Sequence, residues 1–241
     1  MQALYRVDLE VHAGEVLALV GDNGAGKSTL IKSIAGIHPI DEGEILFDGR
    51  RVTIHGPKDA ARLGVEVVYQ DLALADNLDV VQNMFLGREE VTGPLRALHE
   101  TSMERRARET LATLSVTTIR SVRQRVAGLS GGQRQSVAVA KAVMWNSKVV
   151  LLDEPTAALG VAQTRQVLDL VRRLGEQGLG VILISHNLHD VFEVADRITV
   201  LRLGQNVAEF RTSETTQAKV VEAITAGSLS HVPGQQEESF V

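Results

Sequence analysis

The 241-residue chain contains no cysteine. That excludes disulfide bridges, thiolate metal sites and cysteine nucleophiles, and it is compatible with a reducing cytosol. Long apolar runs are missing as well. The longest, such as Val16-Leu17-Ala18-Leu19-Val20, fall far short of the ~20 residues that cross a bilayer. The opening residues lack the basic-then-apolar order of a secretory leader, so membrane contact is expected through a partner. There is no excess of positive charge either: 25 Lys and Arg stand against 30 Asp and Glu, a net charge of −5. A general electrostatic grip on nucleic acid is therefore not expected. One basic cluster occurs, at Arg105, Arg106, Arg108, Arg120, Arg123 and Arg125. Glu104 and Glu109 interrupt it, which reads as a solvated helix face. No internal repeat is visible.

What is present is a series of short apolar runs ending in polar residues: Val16–Val20, Val65–Tyr69, Val149–Leu152 and Val181–Ile184. Runs without alternation suit strands covered on both faces, as in a parallel sheet. Helical patterns lie between them, at Lys27–Ile34, Gln133–Trp145, Ala162–Glu176 and Leu188–Ala195. The alternation predicts an α/β fold with ligands at the carboxyl ends of the strands. From Asp71 to Gly128 the strand-like runs stop. Gly93-Pro94 marks a turn, and Thr101–Ser115 reads as a charged amphipathic helix. The expected organisation is one domain over 1–227, with a core of 1–70 and 129–227 and a helical insert of 71–128. A polar tail follows over 228–241.

Gly21-Asp22-Asn23-Gly24-Ala25-Gly26-Lys27-Ser28 directly follows an apolar run and fits the phosphate-loop pattern. Its glycines let backbone N–H groups approach phosphate oxygens, and the helix that follows offers its positive end to the same anion. The expected contacts with a nucleoside triphosphate are Gly21, Asn23, Gly24, Ala25, Gly26, Lys27, Ser28 and Thr29. Lys27 bridges the outer phosphates and the Ser28 hydroxyl ligates Mg²⁺. Chance gives such a pattern in roughly one chain of this length in a hundred, and the flanking strand and helix separate this one from a bare glycine-rich turn.

Val149–Leu152 runs into Asp153-Glu154-Pro155. Asp153 is expected to hold Mg²⁺, and Glu154 to polarise the water that attacks the γ-phosphate. Gln70 and His186 also follow apolar runs. Gln70 can reach Mg²⁺ or the attacking water, and a neutral His186 imidazole can contact the γ-phosphate. The remaining histidines carry no such placement.

With Leu129-Ser130-Gly131-Gly132-Gln133 added, the order and spacing of these motifs resemble the ATP-binding cassette (ABC) transporter ATPases. The resemblance implies a P-loop NTPase core with a helical subdomain inserted. It also implies that Ser130, Gly131, Gly132 and Gln133 face ATP held by a second copy, so that ATP binding makes a homodimer. Ser130 can cap the helix that starts at Gly131. Asn83-Met84-Phe85-Leu86-Gly87-Arg88-Glu89 and Glu154-Pro155-Thr156-Ala157-Ala158-Leu159-Gly160-Val161 resemble the carbohydrate-importing class of the ribose, xylose and fructose type, in its single-cassette form. That class implies a multi-span permease gripped by the helical insert, with Gln70 as hinge, and a separate sugar-binding protein met only indirectly. It implies a position on the cytoplasmic face of the cell membrane.

Two departures from the pattern stand out. The family's adenine-stacking aromatic lies upstream of the segment resembling Ala3–Leu9, before Met1, and Tyr5 is out of register with it. Gly160 occupies a place where many relatives have aspartate, which matches the sugar-importer variant. Two other readings are a soluble, non-transport ABC ATPase and an N-terminally truncated, weakly active homologue.

Overall fold

The computed structural model describes residues 3–226; the tail expected over 228–241 lies outside the described residues. In chain order the elements are β1 (Val16–Val20), α1 (Lys27–Ile34), β2 (Ile45–Phe47), β3 (Arg50–Val52), α2 (Pro57–Leu63), β4 (Val65–Val68) and α3 (Val80–Phe85). Then come β5 (Val91–Thr92), β6 (Ala97–Leu98), α4 (Glu100–Thr113), α5 (Gly131–Val143), β7 (Val149–Asp153) and α6 (Val161–Glu176). The last are β8 (Gly180–Ile184), α7 (Leu188–Val194), β9 (Arg197–Arg202), β10 (Gln205–Arg211) and α8 (Gln217–Ala226).

Six strands form one sheet in the order β10-β9-β1-β8-β7-β4. All neighbours are parallel except β10, which runs antiparallel to β9. The apolar runs are continuous because both faces are covered. On one side Val16, Ala18, Val150, Leu152, Val181 and Leu183 share a core with residues of α5 and α6. On the other, Leu19, Leu151, Ile182 and Ile184 meet Ile31 of α1 and Ala60 of α2. The result is a three-layer α/β core whose parallel strands all deliver their carboxyl ends to one edge.

The stretch 71–128 supplies α3 and α4, which pack on each other and on α5. Strand character does not stop there entirely, since Val91–Thr92 pairs with Ala97–Leu98 in a small antiparallel hairpin around the Gly93-Pro94 turn. The basic cluster is also more than a solvated face. Arg123 pairs with Glu104, Glu100 and Asp79. Arg106 pairs with Glu90 while its guanidinium lies over the rings of Phe85 and Trp145. These arginines tie α3, α4 and α5 together through half-buried ion pairs and cation–π contacts.

Candidate functional site

Four adjacent strands set the site. Read across the sheet as β1, β8, β7 and β4, their carboxyl ends lead into Gly21, His186, Asp153-Glu154 and Gln70. Parallel register places Asp153 opposite Ile184, and the Glu154 N–H donates to the Ile184 carbonyl at 3.0 Å. That one backbone bond brings the two loops together. Nδ1 of His186 then lies 3.1 Å from Oε1 of Glu154. A carboxylate can only accept, so this contact puts the proton on Nδ1.

The phosphate loop turns tightly after β1. A Cβ on Gly21 would lie 2.1 Å from the Leu201 carbonyl oxygen, and its φ is +149°; only glycine fits. Gly26 caps α1 in a left-handed conformation. Lys27 is buried, and its Nζ donates to the carbonyls of Gly21 at 2.5 Å and Asp22 at 3.0 Å. The ammonium therefore sits inside the curve of its own loop. Ser28 is exposed and Thr29 half-buried on the first turn of α1. Ala3–Tyr5 runs along the flank of this loop, with Leu4 against Gly26 and the Tyr5 N–H donating to Gly204 at 2.7 Å. The Tyr5 ring is exposed, with the Arg6 guanidinium over it.

Charge is held here at a cost. Burial pushes the Lys27 ammonium below its ordinary pKa, while Glu154, Asp22 and Asp153 pull the other way. Burial and then the neighbouring Glu154 raise the Asp153 carboxyl above its ordinary value, with Lys27 and Lys32 opposing. Burial, and then Asp153, raise Tyr69. A divalent cation beside Asp153 and a phosphate chain beside Lys27 would each favour the ionised form. The donors available for such a cation are the Ser28 hydroxyl, the Asp153 carboxylate and the Gln70 amide oxygen. All are hard oxygen ligands, as Mg²⁺ prefers. No cluster of three or more His, Cys, Asp or Glu forms a metal cage among the described residues. A metal shared between one carboxylate, one hydroxyl and substrate phosphates fits that donor set.

The Ser130 segment is a helix start with its polar groups matched. Ser130 Oγ accepts from the Gln133 N–H, and Gln133 Oε1 accepts from the Ser130 N–H, a reciprocal capping box. Gln133 Nε2 donates to the Thr118 carbonyl at 2.7 Å. The Gln133 side chain is thus engaged within its own chain, and its work here is to set the helix start. Gly131 is exposed and Gly132 buried. Gly132 leaves room for the side chain of Gln163, whose Cβ would be 3.1 Å from an added Cβ.

Residues that the motif pattern did not mark also belong to this edge. Thr156 and Asp190 join the Glu154 and His186 loops by hydrogen bonds, and Gln163 accepts from the Gly160 N–H. They escape a reading of linear motifs because Thr156 and Asp190 are 34 residues apart. Only the strand order brings them together.

Comparison with known proteins places these features in context. The family model described as ABC transporter matches residues 4–157. The fructose import ATP-binding protein FrcA of Rhizobium meliloti is 47% identical over 229 residues, covering 92% of this chain and 88% of that protein. The xylose/arabinose import ATP-binding protein XylG of Sulfolobus acidocaldarius is 46% identical over 232 residues, covering 96% and 91%. Among solved structures, a nucleotide-free ATP-binding cassette from an ABC transporter matches with TM-score 0.78 at 27% identity, covering 93% of this chain and 89% of that one. A dimeric cassette in a post-hydrolysis state, bound to ADP and Pi, matches with TM-score 0.71 at 26% identity, covering 87% and 90%.

Proposed function

The chain belongs to the ABC transporter family of ATP-binding proteins, and from that premise we propose that it is the ATP-hydrolysing subunit of a sugar importer. The observation that carries the proposal is the alignment of phosphate loop, Asp153-Glu154 and His186 on adjacent strand ends, with Glu154 and His186 in direct contact. Relatives that cover nearly the whole chain are named for fructose and for xylose/arabinose import, which supports a sugar as cargo.

The loop N–H groups and Lys27 bind the phosphates and orient the γ-phosphate for in-line attack. Ser28 and Asp153, with Gln70 near them, would hold Mg²⁺, which neutralises charge on the phosphate oxygens. Glu154 accepts a hydrogen bond from the attacking water and is oriented by His186 Nδ1–H. The His186 imidazole contacts the γ-phosphate. A second copy of the chain supplies Ser130, Gly131 and Gly132, whose helix start offers N–H groups and a positive dipole end to the same γ-phosphate. Hydrolysis removes that phosphate and with it the attraction that holds the pair closed.

Coupling to transport runs through the insert. The 71–128 segment grips a multi-span permease, and Gln70, which follows β4, connects that grip to the nucleotide. A separate sugar-binding protein selects the cargo. In this role the subunit sits at the cytoplasmic face, held by the permease; no helix among the described residues is long and apolar enough to cross a membrane. The test is copurification from detergent-solubilised membranes together with sugar uptake. A multi-span permease should copurify, and uptake should be lost on replacing the chain with its Lys27→Ala form. Copurification with ribosomes and unchanged uptake would favour a soluble, non-transport ATPase.

A further inference from the structure

We propose that Asp190 is a positioning residue for hydrolysis: it clamps the loop carrying Glu154 to the loop carrying His186. Asp190 is 3% exposed and stands in the first turn of α7. Its Oδ2 accepts from the Thr156 hydroxyl at 2.7 Å, and its Oδ1 accepts from the Asn187 side-chain amide at 2.9 Å. Thr156 lies two residues beyond Glu154, and Asn187 is the residue after His186. One carboxylate therefore bridges the two loops whose tips meet at the 3.1 Å contact between His186 and Glu154.

Three features make this more than a helix-capping detail. The first is the carboxylate itself. Both oxygens of this buried carboxylate are used, one for each loop, on the neutral donors Thr156 and Asn187, so none is left over for solvent or for a cation. The second is the conformation of Glu154, whose φ is +48°. Non-glycine residues adopt that left-handed region uncommonly, and here the turn is tied down on both sides. Thr156 anchors the turn just after Glu154 and Pro155, and so it holds that backbone from one side, while the Ile184 carbonyl holds it from the other. The third is the second loop. Ser185 is buried and its Oγ accepts from the Asn187 N–H at 3.0 Å, so His186 projects from a buckle fixed on both sides. Asp190 closes that buckle onto the Glu154 turn. Without it the two loops remain joined by one backbone bond and by the His186–Glu154 contact itself, and the separation of those two side chains is free to drift. A base misplaced by about 1 Å loses about a hundredfold in rate while substrate binding elsewhere is untouched.

The inference rests on Glu154 and His186 acting in hydrolysis, so Glu154→Gln is run beside the test variants. These are Thr156→Val, which keeps the shape and removes the hydroxyl, Thr156→Ser, which keeps the hydroxyl, and Asp190→Asn. The measurements, on the full chain with Mg–ATP, are kcat, KM, nucleotide affinity and melting temperature. The expected result is that kcat falls at least about tenfold in Thr156→Val and Asp190→Asn, with KM and affinity within about twofold of the parent. Thr156→Ser returns kcat to within about twofold of the parent. If Thr156→Val keeps full kcat while Glu154→Gln abolishes it, the clamp is refuted and the assignment of Glu154 stands. A parallel loss of affinity, kcat and melting temperature, with no rescue by Ser, makes Asp190 merely structural and also overturns the proposal. Undiminished turnover in Glu154→Gln instead removes the reading on which the clamp rests.

Discussion

A Cβ placed on Gly131 would lie 2.8 Å from Cδ2 of Leu159, so the helix capped by Ser130 and the turn that follows Glu154 are packed directly on each other. Within one chain, the segment proposed to face a partner's ATP touches the segment leaving the chain's own acidic strand end. The absence of a side chain at Gly131 is what permits the contact.

Gly131→Ala should therefore displace the Leu159 turn. The atom it meets is the end of a side chain that can rotate, so the stability cost is about 1 kcal/mol, or a fall of about 2–4 °C in melting temperature. ATP hydrolysis should fall further, by about tenfold. Adding Leu159→Ala makes room for the new methyl group and should restore most of the lost hydrolysis. Failure of the double variant to recover would place the damage at the partner's nucleotide rather than at the turn.

Gly21→Ala meets a harder obstacle. The new Cβ would stand 2.1 Å from a backbone carbonyl of β9, at a φ of +149°, and no rotamer relieves that. A loss of about 2–3 kcal/mol is expected, seen as a drop of about 5–10 °C in a thermal melt, together with loss of nucleotide binding. A variant melting within about 1 °C of the parent would contradict the geometry drawn for the loop.

Lys141, in the last turn of α5, gives a pH-dependent test. Burial lowers its pKa from the ordinary 10.5, Arg88 lowers it further, and Glu66 opposes. A depressed ammonium contributes stability above its unfolded-state value, and that contribution is lost as pH falls through its folded-state value. At neutral pH the charge is therefore a burden on the fold. Lys141→Met should raise the melting temperature at pH 7, and the advantage should shrink towards zero as pH rises past 10.5. Equal gains at both ends of the range would show that packing, not charge, is responsible.

How much of this was legible in the sequence depends on the kind of signal. β1 and the start of α1 appear at their expected bounds because the phosphate loop is a contiguous pattern with its own glycines. Helix α5 begins at Gly131, where a Ser130 cap puts it, two residues before its apolar periodicity sets in at Gln133. Gly-Gly reads as loop by propensity, and the Ser130–Gln133 capping box offsets it. β9 was missed because Thr199, buried at 2% exposure in its middle, interrupts the apolar run. Its partner β10, an edge strand, has no clean alternation because its register shifts between Asn206 and Ala208. The hairpins β2–β3 and β5–β6 are two or three residues per strand, too short for any period to register. At the site, the motif residues are contiguous or follow apolar runs, so they are legible in the sequence. The pairing of Asp190 with Thr156 has no linear signature, because it is set by which strands lie side by side.

The central claim is that Glu154 polarises the attacking water while two copies of the chain close around ATP. Turnover and light scattering of the Glu154→Gln variant with Mg–ATP test it most directly. ATP affinity should stay within about twofold of the parent, turnover should fall by about a hundredfold or more, and mass should double only when ATP is present. Undiminished hydrolysis, or a variant that stays monomeric while saturated with ATP, would contradict it.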